Sequence, residues 1–134
     1  MVSQAIFGAD TAAIVAAVAA PALTPELALQ YLRELSTDIK ASVIAAAGGG
    51  TSAASLPADQ GDRLRELASR LFEQAESAHD GVVTQVEVST GDGAVYAVRD
   101  ERWAVAVVTG RFALSSLMFY DLRSVLSDLE GQPS

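Results

Sequence analysis

The sequence predicts an α+β domain in which helices cover both faces of an antiparallel sheet. Three observations carry that expectation. The stretch VVTQVEVSTGDGAVYAVRDERWAVAVVTGR, Val82 to Arg111, holds three β-rich runs separated by two tight breaks. Apolar residues recur at helical spacing before it, in Leu64 to Ala75, and after it, in Leu114 to Leu129. The third β-rich run, WAVAVVTG, is apolar on both faces, as a strand is when layers lie above and below it.

Taken in order, Asp10 or Thr11 caps a short Ala-rich helix that Pro21 ends. This segment is smooth rather than strongly amphipathic, so it is expected to pack against something, within the chain or outside it. Thr24-Pro25-Glu26 starts the next helix with a capping hydroxyl, a proline at the first helical position and an acid in the first turn. Ala28, Tyr31, Leu32, Leu35 and Ile39 keep its apolar spacing. In Ala41 to Ser55 the local signals divide evenly. Alanine propensity extends the helix to Ala47 with Gly48 as its stop. Equally, Ser42 to Ala47 and Thr51 to Ser55 form a hairpin turning on three glycines.

From Pro57 the helical period returns, with Asp59 as cap, Leu64, Leu67, Ala68, Leu71, Phe72 and Ala75 on the apolar face, and Glu66 and Arg70 as an i,i+4 pair. The helix ends by Gly81. In the first strand Val82, Thr84, Val86 and Val88 share one face, and Gln85 and Glu87 the other. Thr90 to Gly93 make the first turn. Asp100-Glu101 make the second, flanked by Arg99 and Arg102 to neutralise it. Leu114, Leu117, Met118, Leu122, Val125, Leu126 and Leu129 mark a closing amphipathic helix.

Composition narrows the function classes. The 134 residues are half apolar and 19% charged, which fits one globular domain and not a disordered chain. Seventeen acidic against nine basic residues give a net charge of -8, a poor match to nucleic-acid phosphates or anionic membrane surfaces. Without cysteine there are no disulfides or thiolate metal sites, and a reducing cytoplasm is the expected location. The apolar stretch Thr11 to Leu23 is broken by Pro21 and falls short of the ~20 residues that cross a bilayer, so no membrane insertion is expected.

Catalytic candidates are few. His79, the sole histidine, sits where a helix ends and complements the exposed carbonyls there. Asp59, Asp62 and Glu66 read as favourable charge at a helix start, without a base or aromatic pocket beside them. Gly48-Gly49-Gly50 lacks the GK[ST] of a phosphate loop. Thr109-Gly110-Arg111, after a strand and before a helix, is the better anion-binding candidate, though a lone Arg111 reads first as a surface or interface residue. Ser115 and Ser116 lack the glycines of a nucleophile elbow. Trp103 is read as core, or as an interface anchor. The expectation is therefore no enzyme, no metal and no cofactor.

Several segments together resemble the roadblock/dynein light chain family, which includes bacterial regulators of small Ras-like GTPases. They are the helix LALQYLRELSTDIK, the run SVIAAAGGGTSAAS at the place of the first hairpin, the helix DRLRELASRLFEQAESA, the meander quoted above and the final LSSLMFYDLRSVLSDL. The resemblance implies a profilin-like sandwich over residues 24–130, with a five-stranded antiparallel sheet in the order 2-1-5-4-3, one helix on one face and two on the other. It favours the hairpin for Ala41 to Ser55. Residues 1–23 are then an added N-terminal helical extension and 131–134 a frayed tail.

The resemblance also implies a non-catalytic homodimer joined through the middle helix and third strand, here Leu64, Leu67, Leu71, Ala75, Val83, Gln85 and Glu87. Arg111 and Trp103 are candidate contacts for a further partner, which the resemblance suggests is a small GTPase. The alternative is a PAS-like or longin-like small-molecule sensor, with Trp103, Tyr96 and Phe112 lining its pocket.

Overall fold

The structure, a computed structural model, describes residues 23–129. The helix expected in residues 1–23 and the tail expected at 131–134 fall outside the described residues, Leu23 excepted. The elements are α1 (Pro25–Leu35), β1 (Ile39–Ala46), β2 (Thr51–Ala54), α2 (Ala58–Ala78), β3 (Gln85–Ser89), β4 (Gly93–Arg99), β5 (Trp103–Gly110) and α3 (Ser115–Asp128). All strand pairings are antiparallel, in the order β2-β1-β5-β4-β3. This is the expected sheet, with the doubly apolar run WAVAVVTG as β5 at its centre.

The ambiguous segment resolves as a hairpin. Gly48 takes φ 71°, a left-handed conformation that alanine would resist, and β1 pairs with both β2 and β5. Alanine's helical preference amounts to tenths of a kcal/mol per residue, and two flanking strands outweigh it.

On one face of the sheet, Ile44, Tyr96, Val98, Trp103, Val105 and Val107 meet α1 and α3 through Leu32, Met118, Phe119, Leu122 and Val125. On the other, among the described residues, Ala41, Val43, Ala97 and Ala106 meet α2 through Leu64, Ala68 and Phe72. Gly61 lets α2 come close to β2, since a Cβ there would lie 2.8 Å from the Ala54 methyl. Gly93, opposite Gly110, allows β4 to pass against β5 where a side chain would strike the Thr109 carbonyl.

Thr24 caps α1 as expected, accepting from the Leu27 N–H at 3.2 Å, with Pro25 at the first position. Several details differ from the sequence reading. Helix α1 stops at Leu35, because Ser36 turns extended and accepts the Asp38 N–H, so Ile39 opens β1 instead of continuing the helix. Pro57 holds the N-cap position of α2, and Asp59 lies in its first turn. Glu66 sits 3.9 Å from Arg65, the pairing recorded for it in place of Arg70. Val82 is 81% exposed and precedes β3. Leu114 and Leu117 point outward from the start of α3. In the β4–β5 turn Asp100 accepts the Arg102 and Trp103 N–H groups, both at 2.8 Å, and pairs with the Arg102 side chain. Arg99 turns instead to Glu76, on α2.

Candidate interaction surface

Strand β3 is one border of the sheet. It bonds only to β4, so the outer N–H and C=O groups of Gln85–Ser89 face away from the sheet. The opposite border, β2, is a strand of four residues. The register Val86↔Ala97 and Val88↔Val95 puts both β3 valines on the α2 side. Val86 and Val95 are half-buried there, and Val88 is 41% exposed.

Helix α2 borders the same strip. At 3.6 residues per turn, Leu67 and Leu71 share one flank, while Arg65 and Ser69 occupy the other. Leu67, Leu71 and Ala75 are half-buried. The open strand edge and this half-buried flank of α2 belong to the same face of the sheet.

The expected interface residues divide. Leu67, Leu71 and Ala75 lie at this strip, but Leu64 is 5% exposed and used up against the sheet. Val83 is not on the strand. It anchors the preceding loop, its N–H donating to Glu76 Oε2 at 3.2 Å and its carbonyl accepting from Arg99 Nε at 2.9 Å. The Arg99 guanidinium also stacks 4.1 Å above the Phe72 ring. Gln85 and Glu87 alternate to the two-helix side, where Glu87 Oε2 accepts from Ser115 Oγ at 2.8 Å and Ser115 Oγ lies 3.3 Å from the Tyr96 hydroxyl. They contribute backbone to the edge and not side chains to the strip. Sequence reading missed Val86, Val88 and Val95 as surface-forming residues. Their alternation was visible, but which face would stay partly uncovered was not.

Trp103, a candidate partner contact, is 4% exposed and belongs to the core. Arg111 is exposed, with its guanidinium 5.2 Å from the Phe112 ring centre. The sensor pocket does not assemble: Tyr96 and Trp103 are buried in the two-helix layer, whereas Phe112 is 77% exposed. Among the described residues no cluster of three or more His, Asp or Glu could hold a metal ion, and no helix is long and apolar enough to cross a membrane. Burial raises the Asp121 carboxyl above its ordinary value.

No protein-family sequence model matches the chain, and no curated protein sequence matches it. Solved structures do. A Roadblock/LC7 domain from Streptomyces avermitilis superposes with a TM-score of 0.61 at 23% identity, over 67% of this chain and 81% of that one. A second crystal structure of a Roadblock/LC7 domain from the same species gives 0.62 at 17% identity, over 76% and 94%. The fold is that of a Roadblock/LC7 domain. Within this Roadblock/LC7 fold, α2 and β3 are the elements through which the resemblance implied dimerisation.

Proposed function

We propose that this protein is a non-catalytic, cytoplasmic interaction module that works as a homodimer, its two copies joined along β3 and the adjacent flank of α2. The observation that carries the reading is the open β3 edge lying beside Val86, Val88, Val95, Leu67 and Leu71. A second copy across a two-fold axis would continue the sheet and cover that strip in one step. A small Ras-like GTPase is the partner class that the resemblance suggests for the assembled pair, with exposed Arg111 as a candidate contact.

Sedimentation equilibrium tests the dimer. The wild type is expected to sediment at twice its chain mass at micromolar concentration, and Val88→Lys at the mass of one chain. A wild type that stays monomeric throughout that range defeats the proposal. For the partner, a purified small Ras-like GTPase loaded with GTP should bind the wild type and lose affinity for Arg111→Glu.

A further inference from the structure

The pairing of β3 with β4 fixes which backbone groups the free edge of β3 offers. In an antiparallel ladder, residues alternate between those that bond to the neighbouring strand and those that face away from it. The Thr84 carbonyl accepts from the Arg99 N–H at 3.0 Å, and the Thr90 N–H donates to the Gly93 carbonyl at 2.7 Å. In this register Val86 lies opposite Ala97 and Val88 opposite Val95, so the two valines bond to β4 as Thr84 and Thr90 do. The N–H and C=O groups of Gln85, Glu87 and Ser89 are therefore the ones that point outward.

These residues are spaced evenly about Glu87. When two copies meet about a two-fold axis, a residue on the axis faces its own twin, and its neighbours face each other in reverse order. With Glu87 on the axis, Gln85 meets Ser89 of the second copy and every outward group finds a partner. With Val86 or Val88 there, one of the three residues is left without a mate. Val83 does not fill the gap, since its N–H and carbonyl are engaged by Glu76 and Arg99, and Gly91 lies in the turn beyond the strand. Backbone satisfaction selects Glu87.

The side chain that this register doubles is an acid. Directly opposed residues that exchange both backbone bonds have Cα atoms about 5.5 Å apart, with their side chains on the same face. Glu87 is exposed on the two-helix side, where its Oε2 accepts from Ser89 Oγ at 3.0 Å and from Ser115 Oγ at 2.8 Å. Among the described residues no Arg or Lys forms an ion pair with it. Like charges directly opposite each other weaken a strand pair. On the reading that two copies join along β3, we propose that Glu87 stands on the two-fold axis, sets the register of the dimer and limits its strength. A strand that presents Lys or Arg at the facing position is then a better partner than a second copy of this chain.

Single cysteines in the full chain test the register. The chain has no cysteine of its own, so each variant can form a disulfide only between copies. Under mild oxidation Glu87→Cys is expected to crosslink at least about tenfold faster than Val86→Cys or Val88→Cys, whose twins would sit diagonally and beyond disulfide reach. Faster crosslinking at either valine overturns the proposal, and so do equal rates at all three positions. Fluorescence titration of a dye-labelled chain tests the charge. Glu87→Gln should tighten the dimer about two- to fivefold, and Glu87→Lys should bind the wild type more tightly than either binds itself. Glu26→Gln, the same loss of charge on α1, controls for the net charge of -8 and should change little. Equal effects of Glu87→Gln and Glu26→Gln would overturn the proposal. A wild type that sediments as one chain ends the dimer reading and the register together. A wild-type dimer that crosslinks best away from Glu87 ends the register alone.

Discussion

The two faces of the sheet are built from different materials. Ile44, Tyr96, Val98 and Trp103 fill the side under α1 and α3, and the Tyr96 ring meets Phe119 edge-on with centroids 5.3 Å apart. Alanines and valines line the side under α2, the one helix on that face among the described residues. Large residues under two helices make a closed layer whose business is stability. Small residues under a single helix let it lie close to the sheet, as Gly61 does against Ala54. The difference teaches that Ala41, Ala97 and Ala106 are buried by close approach of one helix rather than by bulk, and that space is left at its flanks rather than beneath it.

Substitutions can break or sharpen that contrast. Leu122, fully buried where α3 packs on the sheet, should cost about 3–5 kcal/mol as Leu122→Ala, measured by urea denaturation. Phe72→Ala removes a larger side chain but one under a single helix, and is expected near about 3 kcal/mol, the lower end for a buried phenylalanine. If Phe72→Ala proved the costlier, the contrast would fail. Val88→Lys should dissociate the proposed dimer while leaving the stability of the isolated subunit within about 0.5 kcal/mol. Glu76→Gln weakens the half-exposed 2.6 Å pair with Arg99, an expected loss of up to about 1 kcal/mol that shrinks as salt is added.

The smallest effect belongs to Asp121. Its burial makes the folded state hold the proton more tightly than the unfolded chain does. Its contribution is therefore fully present below the unfolded carboxylate range and is lost as pH rises through the raised folded value. Asp121→Asn should raise Tm slightly at neutral pH and leave it nearly unchanged in acid. A gain that grew on acidification would contradict the assigned cause.

Much of this architecture was legible because periodicity and layer coverage are linked. WAVAVVTG reads as dry on both sides, and β5 lies between β1 and β4 with layers above and below. Thr24-Pro25 fixes its helix start through local capping alone. Ala41 to Ser55 was not decidable locally, since the strand form draws its stability from β5, some sixty residues downstream. The surface was read less well. Helical spacing put Leu64 with Leu67 and Leu71, but only the tilt of α2 on the sheet separates the inward leucine from those at the flank. Likewise, strand alternation separated Val86 and Val88 from Gln85 and Glu87 without showing which pair would meet the two-helix side. Trp103 is ambiguous in any sequence, as a large aromatic serves either a core or an interface.

The pairing of β1 with β5 carries a consequence for biosynthesis. Ile39 waits opposite Thr109, and Ala46 opposite Trp103, so the innermost ladder unites segments made far apart in time. Hairpins β1–β2 and β3–β4 can close as they leave the ribosome, but a nascent chain ending before Gly110 lacks the strand that joins them. Such non-local closure slows folding, and until translation passes that point β1 has no inner neighbour to shield it.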